Sequence, residues 1–556
     1  MRLRVSIVFA LVLGSLLGVA ASAVGEVRVT NDNDALTSYL RYDQSSDATT
    51  QACSNDRRAQ NEPTIAIDPR SPNVVVSGSN DYCTQVTNPE VWVGYYRSLD
   101  GGTSWQDSLV PGYPADSSAA GLASPALGSC VAAGDPSAAF DNAGRLFYGF
   151  ICFNRAKPVN GGLYVATYDQ DGAHYVRTAL VAKGSPAPFG LFQDKDNVVI
   201  DRTAGPFSGN VYIAWSRFSG KSANNNVYVA RSTDHGQTFS APVHIDVGSG
   251  QGEFTDAAVG PDGAVYVTYR TYGLQGPTQN AIWLTKSTDG ARTFGKPQLV
   301  AAITPFSSDQ FSGGTGATDC GDGPFACPSG FTFSRWDSQS AVAADANGVH
   351  VVYGARLPSG QGKIFARNSP DGLSWTTSAT TLDTVPTGHQ WDPAIASADG
   401  VLNVVFYDSR GDPGYAPTVP PGNTATGANS GDVVNTFLAR SNDGGATWSE
   451  SQLTAHGSNF GWETHGARRD GFWGDYNYVS AVPGAVNAAW TDSRDLMPGA
   501  DPRETGSSDD ADGFDVFQPC TYVPNDINAA SYSSPSISDP CLSQGGLDQN
   551  IYATRP

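Results

Sequence analysis

Along most of the chain, apolar and polar residues alternate in short runs that are broken by Asp, Gly, Asn or Pro, and long stretches with a helical period are scarce. Ala257 to Tyr269, AAVGPDGAVYVTY, shows the pattern: a Pro-Asp-Gly turn separates two alternating runs, which predicts a β-hairpin. Seven such hairpins can be read, at Pro63 to Ser77, Asp135 to Phe150, Asn197 to Trp215, Asp256 to Tyr269, Ser338 to Tyr353, Pro393 to Tyr407 and Tyr476 to Trp490. Downstream of most of them comes a third run, as in Asn225 to Ser232 (NNVYVARS) and Val434 to Ser441 (VNTFLARS), and then a fourth.

The third run ends in a recurring turn. Ser98 to Trp105 (SLDGGTSW), Ser232 to Phe239 (STDHGQTF) and Ser441 to Trp448 (SNDGGATW) share Ser-x-Asp-x-Gly-x-Ser/Thr-Trp/Phe. Ser287 to Phe294 (STDGARTF) has its glycine one place early, and Ser369 to Trp375 (SPDGLSW) is one residue short. Such a turn needs an Asp side chain to accept backbone N–H groups, a Gly for positive φ and an aromatic to anchor it on the sheet. Units of roughly 40 to 50 residues with four strands each predict an all-β fold, a β-propeller with four-stranded antiparallel blades, in which small cores stack side by side. Seven units predict seven blades, with six as the alternative. Asn550 to Pro556 (NIYATRP) reads as a third strand with no fourth behind it, and Glu26 to Thr30 (EVRVT) as a spare strand. The spare strand is expected to complete the last blade and remove an open edge.

Met1 to Ala23 has Arg2 and Arg4, an apolar run from Val5 to Ala20 and a small-x-small end, the pattern of a secretory signal peptide. Residues 24–556 then form a single propeller domain that is secreted and extracellular. The eight cysteines fit an oxidising compartment, and proximity pairs Cys53 with Cys83, Cys130 with Cys152, Cys320 with Cys327, and Cys520 with Cys541 as staples of loop insertions. The net charge of −21, from 54 acidic and 33 basic residues, disfavours nucleic acid and anionic membranes as partners. A monomer with no organic cofactor is expected. Long insertions stand at Gln106 to Gly134, Ala301 to Asp337, Gly411 to Asp432 and Asp495 to Gln549; the last carries Asp501, Glu504, Asp509, Asp510, Asp512 and Asp515. That acidic loop is a Ca²⁺ candidate without EF-hand spacing, and a solvated loop is the favoured reading.

Six hairpins carry an acid near the start of the first strand and an arginine near the end of the second: Asp135 with Arg155, Asp196 with Arg217, Asp256 with Arg270, Asp337 with Arg356, Asp392 with Arg410, and Asp475 with Arg494. Because the two ends of a hairpin meet, these groups are expected to form a charged collar on one face. Repeated so often, the collar reads first as ion pairs that tie the ring, and as a binding site where arginines stay unpaired. Phe460 to Tyr478 (FGWETHGARRDGFWGDYNY) adds Trp462, His465, Arg468, Arg469 and Trp473, suited to stacking on sugars or to packing a loop.

The turn motif resembles the Asp-box, or BNR repeat, of the sialidase-like propellers, across about 350 residues. The resemblance implies a glycoside hydrolase of exo-α-sialidase type acting on terminal sugars of glycans, with a Tyr nucleophile activated by a Glu, an Asp acid/base and three arginines that clamp the substrate carboxylate. Carried onto this chain, it makes Tyr476 the nucleophile, with Tyr478 as alternate, Glu253 the activating carboxylate and Asp81 or Asp135 the acid. Arg217, Arg270, Arg356, Arg410, Arg494 and Trp473 are then the substrate-binding candidates. The chain departs from the family where an Arg-Ile-Pro type motif is expected, since Asn61 to Ala66 reads NEPTIA and places Glu62 there; Arg57 and Arg58 are nearby substitutes. The competing class is a non-catalytic propeller that binds glycan or protein through its mouth.

Overall fold

In the computed structural model, residues 24–31, 38–54, 59–86, 91–154, 161–185, 190–219, 224–272, 280–305, 339–419, 421–422, 434–460, 473–494 and 549–556 are described. They form seven four-stranded antiparallel sheets. The first strand of each sheet is Gln60–Asp68, Ala132–Phe140, Leu191–Ile200, Gly252–Val259, Ser340–Asp345, Gln390–Ala398 and Tyr478–Val482, for blades 1 to 7 in turn. Each first strand packs against the next, and that of blade 7 packs against that of blade 1, so the seven enclose a central axis. The seven-bladed propeller expected from the hairpin count is the observed architecture.

Blade 7 is built from both ends of the described chain. Its order runs from Tyr478–Val482 through Ala485–Asp492 and Asn550–Arg555 to Val24–Arg28 at the rim. The closing strand begins two residues before the predicted EVRVT segment and pairs antiparallel with Asn550–Arg555. Two cystine bridges, Cys53–Cys83 and Cys130–Cys152, match the proximity pairing; Cys320, Cys327, Cys520 and Cys541 lie outside the described residues. So do the leader 1–23, Arg57, Arg58, Arg155, Asp337, the stretch from Trp462 to Arg469, and the acidic loop. The segment taken as an insertion from Gln106 in fact begins with the fourth strand of blade 1, Gln106–Leu109, and continues into a short helix, Ala119–Ala123. Among the described residues no helix is long and apolar enough to cross a membrane.

Four of the five turn motifs close the same way, and the shorter Ser369 to Trp375 copy keeps the Ser–Asp bond with the Asp371 carboxylate accepting the N–H groups of Leu373 and Ser374. In Ser441 to Trp448 the Asp443 carboxylate accepts the N–H groups of Ala446 and Thr447 at 3.0 and 2.9 Å and the Thr447 hydroxyl at 2.6 Å, while Ser441 Oγ donates to it at 2.7 Å. The displaced glycine of the fourth motif costs nothing in geometry, because two successive positions of the turn are left-handed. Gly290 and Ala291 fill them with φ of 70° and 58°, as His235 and Gly236 do with 58° and 74°. The core lies between blades, where Trp92, Trp215, Trp391 and Trp490 are fully buried. Each such ring contributes roughly 2–3 kcal/mol or more of apolar burial, which supports stacking of small cores in place of one large one.

Candidate functional site: the axial pocket

We call the face where the first strands begin the upper face; the hairpin turns and Asp-boxes lie on the lower one. Near the upper end, five of the seven first strands carry a β-bulge, and one residue of each bulge has left-handed φ: Glu62 (55°), Asp135 (54°), Lys195 (53°), Phe254 (54°) and Asp392 (49°). A non-glycine residue at positive φ is uncommon, and the same strain at equivalent places in five blades marks a built feature that re-aims side chains. Three of the bulges share an acid-proline signature, Glu62-Pro63, Asp135-Pro136 and Asp392-Pro393.

The bulges hold a polar circuit that closes the upper end of the axis. Asn80 donates to Glu62 Oε2 at 2.6 Å and accepts the Asp135 N–H at 2.8 Å; Asp135 Oδ2 accepts the Lys195 N–H at 3.0 Å. Lys195 of blade 3 forms an ion pair with Asp475, which precedes the first strand of blade 7, although the two blades are not neighbours. The Asp475 N–H donates to Glu62 Oε1 at 3.1 Å, and Gln339 donates both to the Asp475 carbonyl and to Asp392 Oδ1, the latter at 3.3 Å. The Lys195 ammonium also stands 5.1 Å from the centre of the Phe254 ring. Lys195, Asp475, Glu62, Asp135, Asp392 and Gln339 are all buried.

Below this circuit runs a pocket of about 250 Å³, walled largely by alanines such as Ala138, Ala257, Ala341 and Ala394. Its polar lining includes Asp196, Asp256, Tyr476 and Tyr478. Burial pushes the Asp256 carboxyl up to about 7, against the effect of the Val342 N–H that it accepts at 2.7 Å. Burial also holds Asp196 well above the usual carboxylate range, aided by the charge of Asp135 and opposed by a 2.6 Å bond from Ser137. The Tyr476 phenol is pushed well up by burial and then by Asp135, Glu62, Asp196 and Asp194. Tyr478 is raised by burial and by Asp256, and its hydroxyl accepts from Asn197 at 3.0 Å. At neutral pH the pocket therefore holds one carboxyl poised to exchange a proton, a second whose proton affinity burial raises, and two neutral phenols.

The residues singled out in the sequence are spread over three environments. Tyr476 and Asp135 belong to the pocket and its closing circuit. Asp81 is buried at the upper end of blade 1, its carboxylate accepting the Tyr39 and Tyr96 hydroxyls at 2.8 Å each and the Cys83 N–H at 2.9 Å. Glu253 is buried opposite Arg270 in the strand register and accepts from Asn225 at 2.9 Å. Trp473 packs 5.0 Å from Tyr407 and donates its indole N–H to Ser493 at 2.6 Å.

The arginines lie near the strand ends, and none of the five lines the pocket. Arg410 pairs with Asp408 at 2.6 Å, Asp383 at 2.9 Å and Glu450 at 3.1 Å, over the Phe437 ring at 4.0 Å. Arg494 repeats the device with Asp492 at 2.5 Å and with Glu26, over Tyr552 at 4.3 Å. Arg217 lies 4.0 Å from the centre of the Tyr228 ring and bonds Gln193 at 3.1 Å; Arg270 is fully buried over Tyr272 at 4.2 Å. The Arg356 N–H donates to Thr304 at 2.8 Å. The expected pairs Asp196–Arg217, Asp256–Arg270, Asp392–Arg410 and Asp475–Arg494 do not form. The cause is local: the acids find partners at the bulges and around the axis, while Arg217, Arg410 and Arg494 extend over rings of the third strand and Arg270 over Tyr272, just past the second. Sequence reasoning missed Lys195 as a site residue and treated Asp256 only as a collar acid. The acid-proline repeat was the available signal for the bulges, whereas nothing local marks Lys195 as spanning the axis.

Among the described residues no group of three or more His, Cys, Asp or Glu side chains could hold a metal. No family description and no curated protein matches the chain. Solved structures similar to it include a protein of unknown function from Dyadobacter fermentans (15% identity, 66% of this chain and 92% of that one, TM-score 0.38). Others are a leech intramolecular trans-sialidase (12%, 64% and 65%, 0.39) and a Penicillium chrysogenum α-L-arabinanase (11%, 78% and 99%, 0.42). Likeness of this degree gives no residue-level correspondence. Fold and turns together define a seven-bladed Asp-box propeller with an acidic axial pocket.

Proposed function

We propose that the protein is an exported glycoside hydrolase that removes terminal sugars from glycans, with its chemistry in the axial pocket. The observation that carries this reading is Asp256, a pocket-lining carboxyl whose proton is held up to about 7 by burial. Glycoside cleavage needs a group that gives a proton to the departing oxygen and takes one back from water, and such a group works best when its pKa lies near the operating pH. Asp256 fits the acid role that the family resemblance suggested for Asp81 or Asp135. Tyr476, kept neutral by burial and by the carboxylates around it, donates a hydrogen bond to the bound sugar in this reading, and Asp135 supplies negative charge beside the developing oxocarbenium ion. Export accords with the two cystine bridges and the leader-like start of the chain.

The exo-α-sialidase form of this reading adds Tyr476 as nucleophile, Glu253 as its activator and a clamp drawn from Arg217, Arg270, Arg356, Arg410 and Arg494. Release of the chromophore from a panel of aryl glycosides, with an aryl sialoside among them, tests both forms. Asp256→Asn is expected to lower kcat by about 10²–10⁴ with the fold intact. Full activity in that variant removes Asp256 from the chemistry. A protein that cleaves none of the panel but is retained on a glycan array is a binding module, the reading favoured by the sealed Lys195–Asp475 bridge.

A further inference from the structure

We infer that Lys195 and Asp475 are the two halves of an intramolecular amide bond, a covalent modification that ties blade 3 to blade 7 across the axis, and that Glu62 relays the proton its formation requires. The two side chains already meet, although they stand 280 positions apart in the sequence, and both are buried. Each is held through its backbone. Lys195 sits at a bulge with left-handed φ of 53°, its N–H donating to Asp135 Oδ2 at 3.0 Å and its carbonyl accepting the Thr255 hydroxyl at 2.8 Å. Asp475 is fixed by Glu62, which accepts its N–H at 3.1 Å, and by Gln339, which donates to its carbonyl. The residue before it must be glycine for Glu62 to lie there, since Gly474 has φ of 91° and a Cβ on it would overlap Glu62 Cγ. An amine and a carboxyl held in contact in this way are set up for an intramolecular reaction, because the entropy of bringing them together has been lost on folding.

The surroundings favour the amide over the ion pair. A buried ammonium and carboxylate have given up the hydration of two charges, whereas an amide is neutral and its formation returns a water to the solvent. The Phe254 ring, 5.1 Å from the amine, adds to the apolar setting. The step balances without a further reactant. The Lys195 ammonium gives one proton to the Asp475 carboxylate, the neutral amine attacks the Asp475 carboxyl carbon, and the C–N bond forms as the C–OH bond breaks. The nitrogen loses a second proton to Glu62, which passes it to the departing hydroxyl, so that one water leaves and Glu62 is returned unchanged. Asn80 donates to Glu62 Oε2 at 2.6 Å, which makes Oε1 the oxygen beside Asp475. The bond does not depend on what the axial pocket binds.

Mass spectrometry of the purified protein, reduced and alkylated, tests the bond. The expected mass lies about 18 Da, one water, below that of the sequence from its observed N-terminus. Tryptic digestion is expected to give a branched product in which residues 184–202 are joined to residues 470–494 through Lys195 and Asp475. Lys195→Arg, which keeps the charge but lacks the reactive amine, is expected to regain the full mass, and Glu62→Gln to lower the bonded fraction about tenfold or more. The full sequence mass in the parent protein overturns the inference whether or not the variants fold, as does a water lost anywhere other than at this pair. An undiminished bonded fraction in Glu62→Gln overturns the relay.

Discussion

Asp256 shows how one side chain acquires chemistry from its position. Its spacing to Arg270 in the sequence suggests an ion pair, yet the carboxyl lines the axial pocket with a backbone N–H from the next blade as its partner. Without a cation to hold the charge, burial raises its proton affinity to about 7, above the roughly 3.9 expected of the unfolded chain. The native state therefore keeps a proton that the unfolded state releases, and the stability this confers falls as pH rises from about 4 to about 7. Asp256→Asn, neutral at every pH, is expected to lower the slope of melting temperature against pH across that window, and calorimetry at pH 5 and pH 7.5 reads the difference. In an active protein the descending limb of the rate profile near pH 7 should also change. An unaltered slope in the variant would mean that the carboxyl is ionised throughout.

At the scale of the element, two devices repeat. The Asp-box is a purely local arrangement of serine, aspartate and left-handed residues, and it was legible because its hydrogen bonds lie within eight residues of chain. The second is the Asp-Ser-Arg segment that ends the second strand in blades 6 and 7. In both, the aspartate accepts the arginine N–H, at 2.6 Å for Arg410 and 2.8 Å for Arg494, and the guanidinium reaches a glutamate on the outermost strand. The near-identity of YDSR and TDSR was visible in the sequence, but not the glutamates, since Glu26 is brought to Arg494 only by closure of the ring. Arg494→Met leaves Asp492 and Glu26 without their cation in a largely buried setting and is expected to destabilise the protein by about 3–5 kcal/mol. Denaturant unfolding measures this, and a loss below about 1 kcal/mol would place the pair among weak surface bridges.

For the whole molecule, closure is the organising event. Val24–Arg28 covers the edge of Asn550–Arg555, so the two ends of the described chain share one sheet. Deleting residues 24–31 exposes that edge and removes Glu26 from Arg494; the expected outcome is a lower melting temperature and self-association, seen by calorimetry and light scattering. A variant as stable and monodisperse as the parent would show that the ring closes without this strand. What the sequence determined by itself was the strand content, the blade count, the five turns and the closing strand, because alternation and turn chemistry act over a few residues and the repeat multiplies the signal. The pocket was decided only by the tertiary structure. Lys195 meets Asp475, Asp256 meets Val342, and Tyr476 meets Asp135 across tens to hundreds of residues, through bulges that turn side chains to partners no local pattern names. Charge and burial at the axis are properties of seven strands together, so the raised proton affinity of Asp256 exists only once the ring has formed.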